Sequence, residues 1–165
     1  MAEYFSRKAR LAEEVGYELE QLRRLADGAR ELSAVPESER RPWDAAAAAK
    51  YVSDLCAGLE NLCKRRYVFL NLRPPAGPDS HACMMQDFLA TAGLGRELTP
   101  EMAQRLKKYL RFRHRFVHGY GFQVSWRLVE EPLRLLPDTV SVLATVWPTG
   151  WPHFRSRFDC NCRLC

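Results

Sequence analysis

The chain lacks any long hydrophobic run. No stretch approaches the roughly 18 consecutive apolar residues that a membrane span needs. The opening MAEYFSRKARLAEEVG is broken by charge throughout and does not read as a secretory signal. The expectation is a soluble, cytoplasmic protein with no membrane role. No segment shows the strict alternation of a half-buried strand, and no internal repeat is visible. Acids are missing from one region in particular. Between Glu101 and Glu130 there is none, whereas Arg105, Lys107, Lys108, Arg111, Arg113, Arg115 and Arg127 are basic. Residues 1–72 hold twelve basic and twelve acidic side chains and cancel, so the net charge of +5 belongs to the rest of the 165 residues. Such a stripe favours a polyanionic partner such as nucleic acid, and a solvated helix face accounts for it equally well.

Six cysteines are present, but their placement argues against a disulfide framework. Cys56, Cys63 and Cys83 fall inside helical patterns, where a free thiol acts as a small apolar residue. Cys160, Cys162 and Cys165 crowd the last six positions. A chain of this length can build its core without such staples, so reduced thiols are expected.

What is present is helical periodicity. Leu11, Val15, Leu19, Leu22, Leu25, Ala29 and Leu32 recur at spacings of three and four and form one face of a helix. Pro36 and the run ESERRP end it. A second stripe follows Pro42 through Tyr51, Leu55, Leu59, Leu62 and Phe69, helped by the alanines from Ala45 to Ala49. The loop RPPAGPDS (Arg73 to Ser80) leads to a shorter helix with Met84, Met85, Phe88 and Leu89, ending near Gly93 or Gly95. Thr99 as N-cap, Pro100 in the first turn and Glu101 at the positive end of the dipole start a fourth. Ser125 caps a last helical region that Pro132 and Pro137 should shorten or kink before Val140, Leu143 and Val146. The fold class is all-α, an up-and-down bundle of about five helices. One domain spans residues 1–147, and residues 148–165 read as a poorly structured tail.

The fourth helix carries the chemistry. Its buried stripe runs Met102, Leu106, Leu110, Arg113, Val117, Tyr120, so Arg113 stands where the pattern asks for a hydrophobe. A guanidinium withdrawn from water costs several kcal/mol unless it is paired. A carboxylate elsewhere in the bundle, a partner subunit or a bound phosphate would compensate it, or its stem would carry it to the surface. His118 lies five residues on, roughly 140° round a straight helix at about 100° per residue. His114 and His118 share a face but lack a third metal ligand nearby.

The segment Arg113-His114-Arg115-Phe116-Val117-His118 resembles the R-x4-H signature of the HEPN superfamily. Gly119-Tyr120 extends it to R-x4-H-x-Y, the pattern of HepT-like toxins. YLRFRHRFVHGYGFQVSW, GLENLCKRR and PDSHACMMQDF are also similar to HepT-like sequences, over roughly residues 1–147. The resemblance implies a HEPN-type bundle that homodimerises, with two motifs facing across a composite cleft that cleaves RNA without metal or other cofactor. Arg113 and His118 would be catalytic: His118 as general base or acid, with an imidazole pKa suited to neutral pH, and Arg113 clamping the scissile phosphate. His114 would orient the pair or contact phosphate. Products would be a 2′,3′-cyclic phosphate and a 5′-hydroxyl. Lys107, Lys108, Arg111 and Arg115 would supply salt-dependent affinity for the RNA backbone. Tyr120 would receive AMP from a cognate minimal nucleotidyltransferase, the antitoxin, although it equally continues the apolar stripe.

Two other readings stand beside this one. The first is a non-catalytic HEPN module that binds RNA, nucleotide or protein. The second is a plain helical dimerisation protein in which Arg113 pairs with an acid such as Glu60. The tail departs from the family pattern: Cys160, Cys162 and Cys165 with His153 have short, unusual zinc spacings, and an unstructured end is the simpler expectation.

Overall fold

The structure, a computed structural model, describes residues 2–77, 79–91, 98–117 and 124–149. They form five α-helices: α1 (Ala2–Ser33), α2 (Asp44–Phe69), α3 (Ser80–Thr91), α4 (Pro100–Val117) and α5 (Trp126–Thr149). A single 3-10 turn, Glu37–Glu39, lies between α1 and α2, and no strand occurs among the described residues. The all-α bundle expected from periodicity is therefore what forms. The zinc spacing at Cys160, Cys162 and Cys165 and most of the expected tail lie outside the described residues; α5 itself runs on to Thr149.

Helix α2 is the centre of the bundle and packs against each of the other four helices. That position explains its sequence. Its buried residues widen from a narrow stripe to a face of about 200°, at about 100° per residue, running from Gly58 through Leu62, Leu55, Ala48, Leu59, Val52 and Cys56 to Glu60. Leu55, Leu59 and Leu62 are essentially inaccessible, and each contributes roughly 2 kcal/mol of transfer free energy. Tyr51, expected in the stripe, is only half-buried. Its ring lies over Gly28 of α1, where a methyl group would stand 2.5 Å from the phenolic oxygen. Gly58 of α2 is crowded in the same way by Leu22, whose Cδ2 would lie 2.6 Å from an added carbon.

Polar contacts set the register of α1 on α2. Arg65 reaches Glu14 at 2.9 Å and Glu18 at 3.4 Å, and Asn61 donates to Glu18 at 3.2 Å. Near the start of α1, Arg7 donates to the carbonyls of Val68 and Phe69 and to Asn71 Oδ1. As residue numbers fall on α1 they rise on α2, so the two helices are antiparallel. Arg7 thus covers the Phe69 carbonyl at the C-terminus of α2 and adds a second donor to that of Val68. The helix ends in a Schellman motif: Leu72 N–H bonds the Tyr67 carbonyl, Asn71 N–H bonds that of Val68, and Asn71 takes φ 56°.

Helix α4 starts as its sequence says. Thr99 Oγ1 accepts from Met102 N–H at 3.2 Å, satisfying one of the orphan donors of the first turn. Helix α5 departs from expectation, because Pro132 and Pro137 lie inside one continuous 24-residue helix. An interior proline costs up to about 3 kcal/mol in a lone helix. Here Val129, Leu133, Leu136, Val140 and Leu143 are buried, and α5 packs along both α1 and α2, which offsets that cost. The Pro132 carbonyl accepts from Tyr109 Oη of α4 at 3.0 Å. Arg105 of α4 is ion-paired with Asp138 of α5. These pairs run in opposite senses, so α4 and α5 are antiparallel as well.

Candidate functional site around Arg113

The buried line on α4 differs in one place from the stripe read in the sequence. It passes through Met102, Leu106 and Tyr109, while Leu110 is only partly buried. Tyr109 fits because its hydroxyl is satisfied by Pro132 and stands 3.4 Å from Thr139 Oγ1. Burial pushes its phenol up to about 12, with the Thr139 contact acting in the opposite direction.

About one turn beyond Tyr109, Arg113 meets the carboxylate expected of it. Its Nη1 donates to Oε1 of Glu60 on α2. Glu60 is enclosed, its side chain only 5% exposed, whereas Arg113 retains 21%. The acid that the sequence offered as a possible partner is therefore the partner. The pair lets a charged residue occupy a core position, because each charge is compensated by the other. Nε and Nη2 of Arg113 make no hydrogen bond among the described residues.

A third group joins them from the first turn of α3. His81 Nδ1 lies 2.7 Å from the same Oε1 of Glu60 and 3.4 Å from Arg113 Nη1. One ring nitrogen cannot both donate to Glu60 and accept from Arg113. The shorter contact, to a buried carboxylate oxygen, decides the matter: Nδ1 carries hydrogen and donates to Glu60, and Arg113 is only a neighbour. The imidazole is 47% exposed. Sequence reading missed His81. A lone histidine after a proline-rich loop has no local signal, and only the packing of α3 on α2 and α4 brings it to Arg113.

Beneath this cluster the surroundings are apolar. Cys56, one turn before Glu60, is buried, and desolvation pushes its thiol up to about 12 against the opposing influence of Arg113. Cys63, one turn earlier than Tyr67, is raised to about 12 for the same reason. Tyr67 is raised first by burial and then by its hydrogen bond to Asp87 of α3. Cys56 and Cys63 are free thiols, as expected.

The other residues expected at the site are not all gathered there. Lys107, Lys108, Arg111 and His114 are exposed. At about 100° per residue they lie between roughly 100° and 160° round the helix from Arg113, so the basic stripe and the Arg113 cluster occupy different faces of α4. Lys108 lies 4.0 Å from Glu131 of α5, a solvent-exposed pair. The Arg115 side chain, His118 and Tyr120 lie outside the described residues.

Among the described residues, five helices with an arginine on an inter-helix face, and R-x4-H in the sequence at the end of α4, are what the HEPN-type resemblance led one to expect. Comparison with family models identifies the chain further: residues 47–146 match the model described as HepT-like protein, more than half of the chain. The chain belongs to the HepT-like family. The comparisons give no match among curated proteins or solved structures. Among the described residues no helix is long and apolar enough to cross a membrane.

Proposed function

We propose that this protein is a HepT-like toxin that cleaves RNA without metal, with Arg113 and His118 at a composite cleft between two copies of the chain. Membership of the HepT-like family supports ribonuclease activity in general. The observation that carries the finer reading is the state of Arg113. Glu60 holds the guanidinium by Nη1 alone, and the Nε–Nη2 edge is left for an oxyanion. That edge suits a bidentate phosphate contact, strengthened where charge builds on the phosphate oxygens. His118, five residues on, exchanges protons with the 2′-hydroxyl or the departing 5′-oxygen. His114 contacts phosphate or orients its neighbours. Lys107, Lys108, Arg111 and Arg115 hold the RNA backbone beyond the cleft. Tyr120 is the acceptor of AMP from a partner nucleotidyltransferase, which silences the cytoplasmic toxin by adding negative charge where RNA phosphate would bind.

The test is incubation of the purified protein and its His118→Ala form with total RNA in EDTA. The proposal expects cleavage by the first only, leaving 2′,3′-cyclic phosphate ends. A folded, unmodified protein that leaves RNA intact would sink it. The Arg113–Glu60 pair also supports a second reading, a non-catalytic HEPN module in which Arg113 is structural. That reading expects Arg113→Ala to unfold the bundle with no activity to lose.

A further inference from the structure

The Arg113 cluster contains a titratable group that the signature motif does not include. His81 is fixed through Nδ1 by a carboxylate that is itself buried and ion-paired, while its other ring nitrogen, Nε2, has no hydrogen bond among the described residues. Two features define its chemistry. The Nδ1–H to Glu60 contact selects the tautomer in which neutral Nε2 bears the lone pair. The ring is 47% exposed beside a guanidinium whose Nε–Nη2 edge is unoccupied, so it stands next to where Arg113 would hold an anion. From α2 the ionisable group on the ring is Glu60 and from α4 it is Arg113; no other charged contact to it occurs among the described residues.

We infer that His81 is a second catalytic imidazole of this site, a general base for the RNA 2′-hydroxyl, with Glu60 as the residue that positions it. This rests on the ribonuclease reading given above. Nε2 takes the hydroxyl proton as the O2′–P bond forms. The P–O5′ bond breaks, and O5′ receives a proton from the imidazolium of His118, the motif's own proton-transfer group. The products are the cyclic phosphate and a 5′-hydroxyl, and solvent restores both imidazoles. Glu60 has two roles, holding Arg113 and setting the tautomer of His81. An arginine and a base fixed to one carboxylate oxygen keep a constant spacing between the phosphate clamp and the group that activates the nucleophile.

The test uses the full-length protein in EDTA with two short RNAs of one sequence: an ordinary one, and one whose scissile 5′-oxygen is replaced by sulfur. A thiolate leaves without protonation, so loss of a general acid is rescued on the sulfur substrate and loss of a general base is not. His81→Ala should cleave the ordinary RNA about 100-fold more slowly, and equally slowly relative to wild type on the sulfur substrate. His118→Ala should recover on sulfur. Because His81 is half exposed, its removal should leave the helical circular dichroism and melting unchanged. Should the variant fail to fold, His81→Gln supplies the same kinetic comparison. Independently of cleavage, nitrogen-15 correlation spectra should show His81 with hydrogen on Nδ1 in the wild type and with mixed tautomers in Glu60→Gln. Wild-type protein that cleaves alongside His81→Ala within twofold of its rate overturns this inference and leaves the ribonuclease reading intact. Rescue of His81→Ala by sulfur overturns the assignment as base. Wild-type protein that cleaves neither RNA overturns the ribonuclease reading and this inference with it.

Discussion

Replacing Glu60 with alanine removes the carboxylate that Arg113 and His81 share. Breaking a buried ion pair from one side costs about 3–5 kcal/mol, because the surviving charge is left uncompensated. Here the survivor is Arg113, whose side chain keeps 21% of its exposure, so part of the loss is recovered as the long stem carries the head toward water. The contact with half-exposed His81 adds less than about 1 kcal/mol. The expected destabilisation is therefore about 2–3 kcal/mol, or roughly 5–10 °C in melting temperature for a chain of this size. Urea and thermal unfolding followed by far-ultraviolet circular dichroism would measure it. Replacing both partners together, Glu60→Leu with Arg113→Met, should recover most of the loss, since no charge is then stranded. Glu60→Ala within about 0.5 kcal/mol of wild type, or a double variant no more stable than the single one, would refute the argument that this pair pins α4 to α2.

Three further outcomes follow from other parts of the fold. Gly58→Ala should destabilise by about 1–3 kcal/mol in urea titration, because Leu22 Cδ2 stands 2.6 Å from the added carbon and the overpacking outweighs alanine's better helix propensity. Cys56 and Cys63, their thiols pushed up to about 12, stay protonated at pH 8, where roughly one molecule in ten thousand bears a thiolate at either position. Peptide mapping after iodoacetamide treatment of native protein should find both unlabelled, with labelling appearing only after denaturation or toward pH 11; labelling of both at the rate of Cys83 would contradict their burial. Removing Lys107, Lys108 and Arg111 together should weaken RNA binding and lower the slope of log affinity against log salt by up to about three, and an unchanged slope would take that face of α4 out of the RNA contact.

Much of the fold was legible because local signals agree with one another. The spacing of Leu11, Val15, Leu19 and Leu22 marks the core face of α1, and all four are buried. Thr99-Pro100-Glu101 starts α4 with the capping bond its side chains call for. The prolines of α5 misled for a physical reason: proline propensity is local, whereas Val129, Leu133, Leu136 and Val140 are held by packing on α1 and α2 that no local rule contains. Tyr109 was missed because a phenol enters a core only when its hydroxyl finds an acceptor, and that acceptor, the Pro132 carbonyl, lies on another helix. The candidate site divides in the same way. Arg113 was visible as an error in an apolar stripe, and the error called for an acid, which Glu60 supplies. His81 gave no such sign, since a histidine near a helix start fits solvent as well as it fits a site.

The central claim is that a 2′-hydroxyl attacks a phosphate held by Arg113, and one substitution in the RNA tests it most directly. After cleavage of a defined RNA in EDTA is mapped to one linkage, the same RNA is made with a single 2′-deoxynucleotide on the 5′ side of that linkage. The account predicts that this linkage becomes resistant while cleavage elsewhere continues, and that Arg113→Ala abolishes cleavage at every site. Cutting at the 2′-deoxy position at the wild-type rate would contradict it.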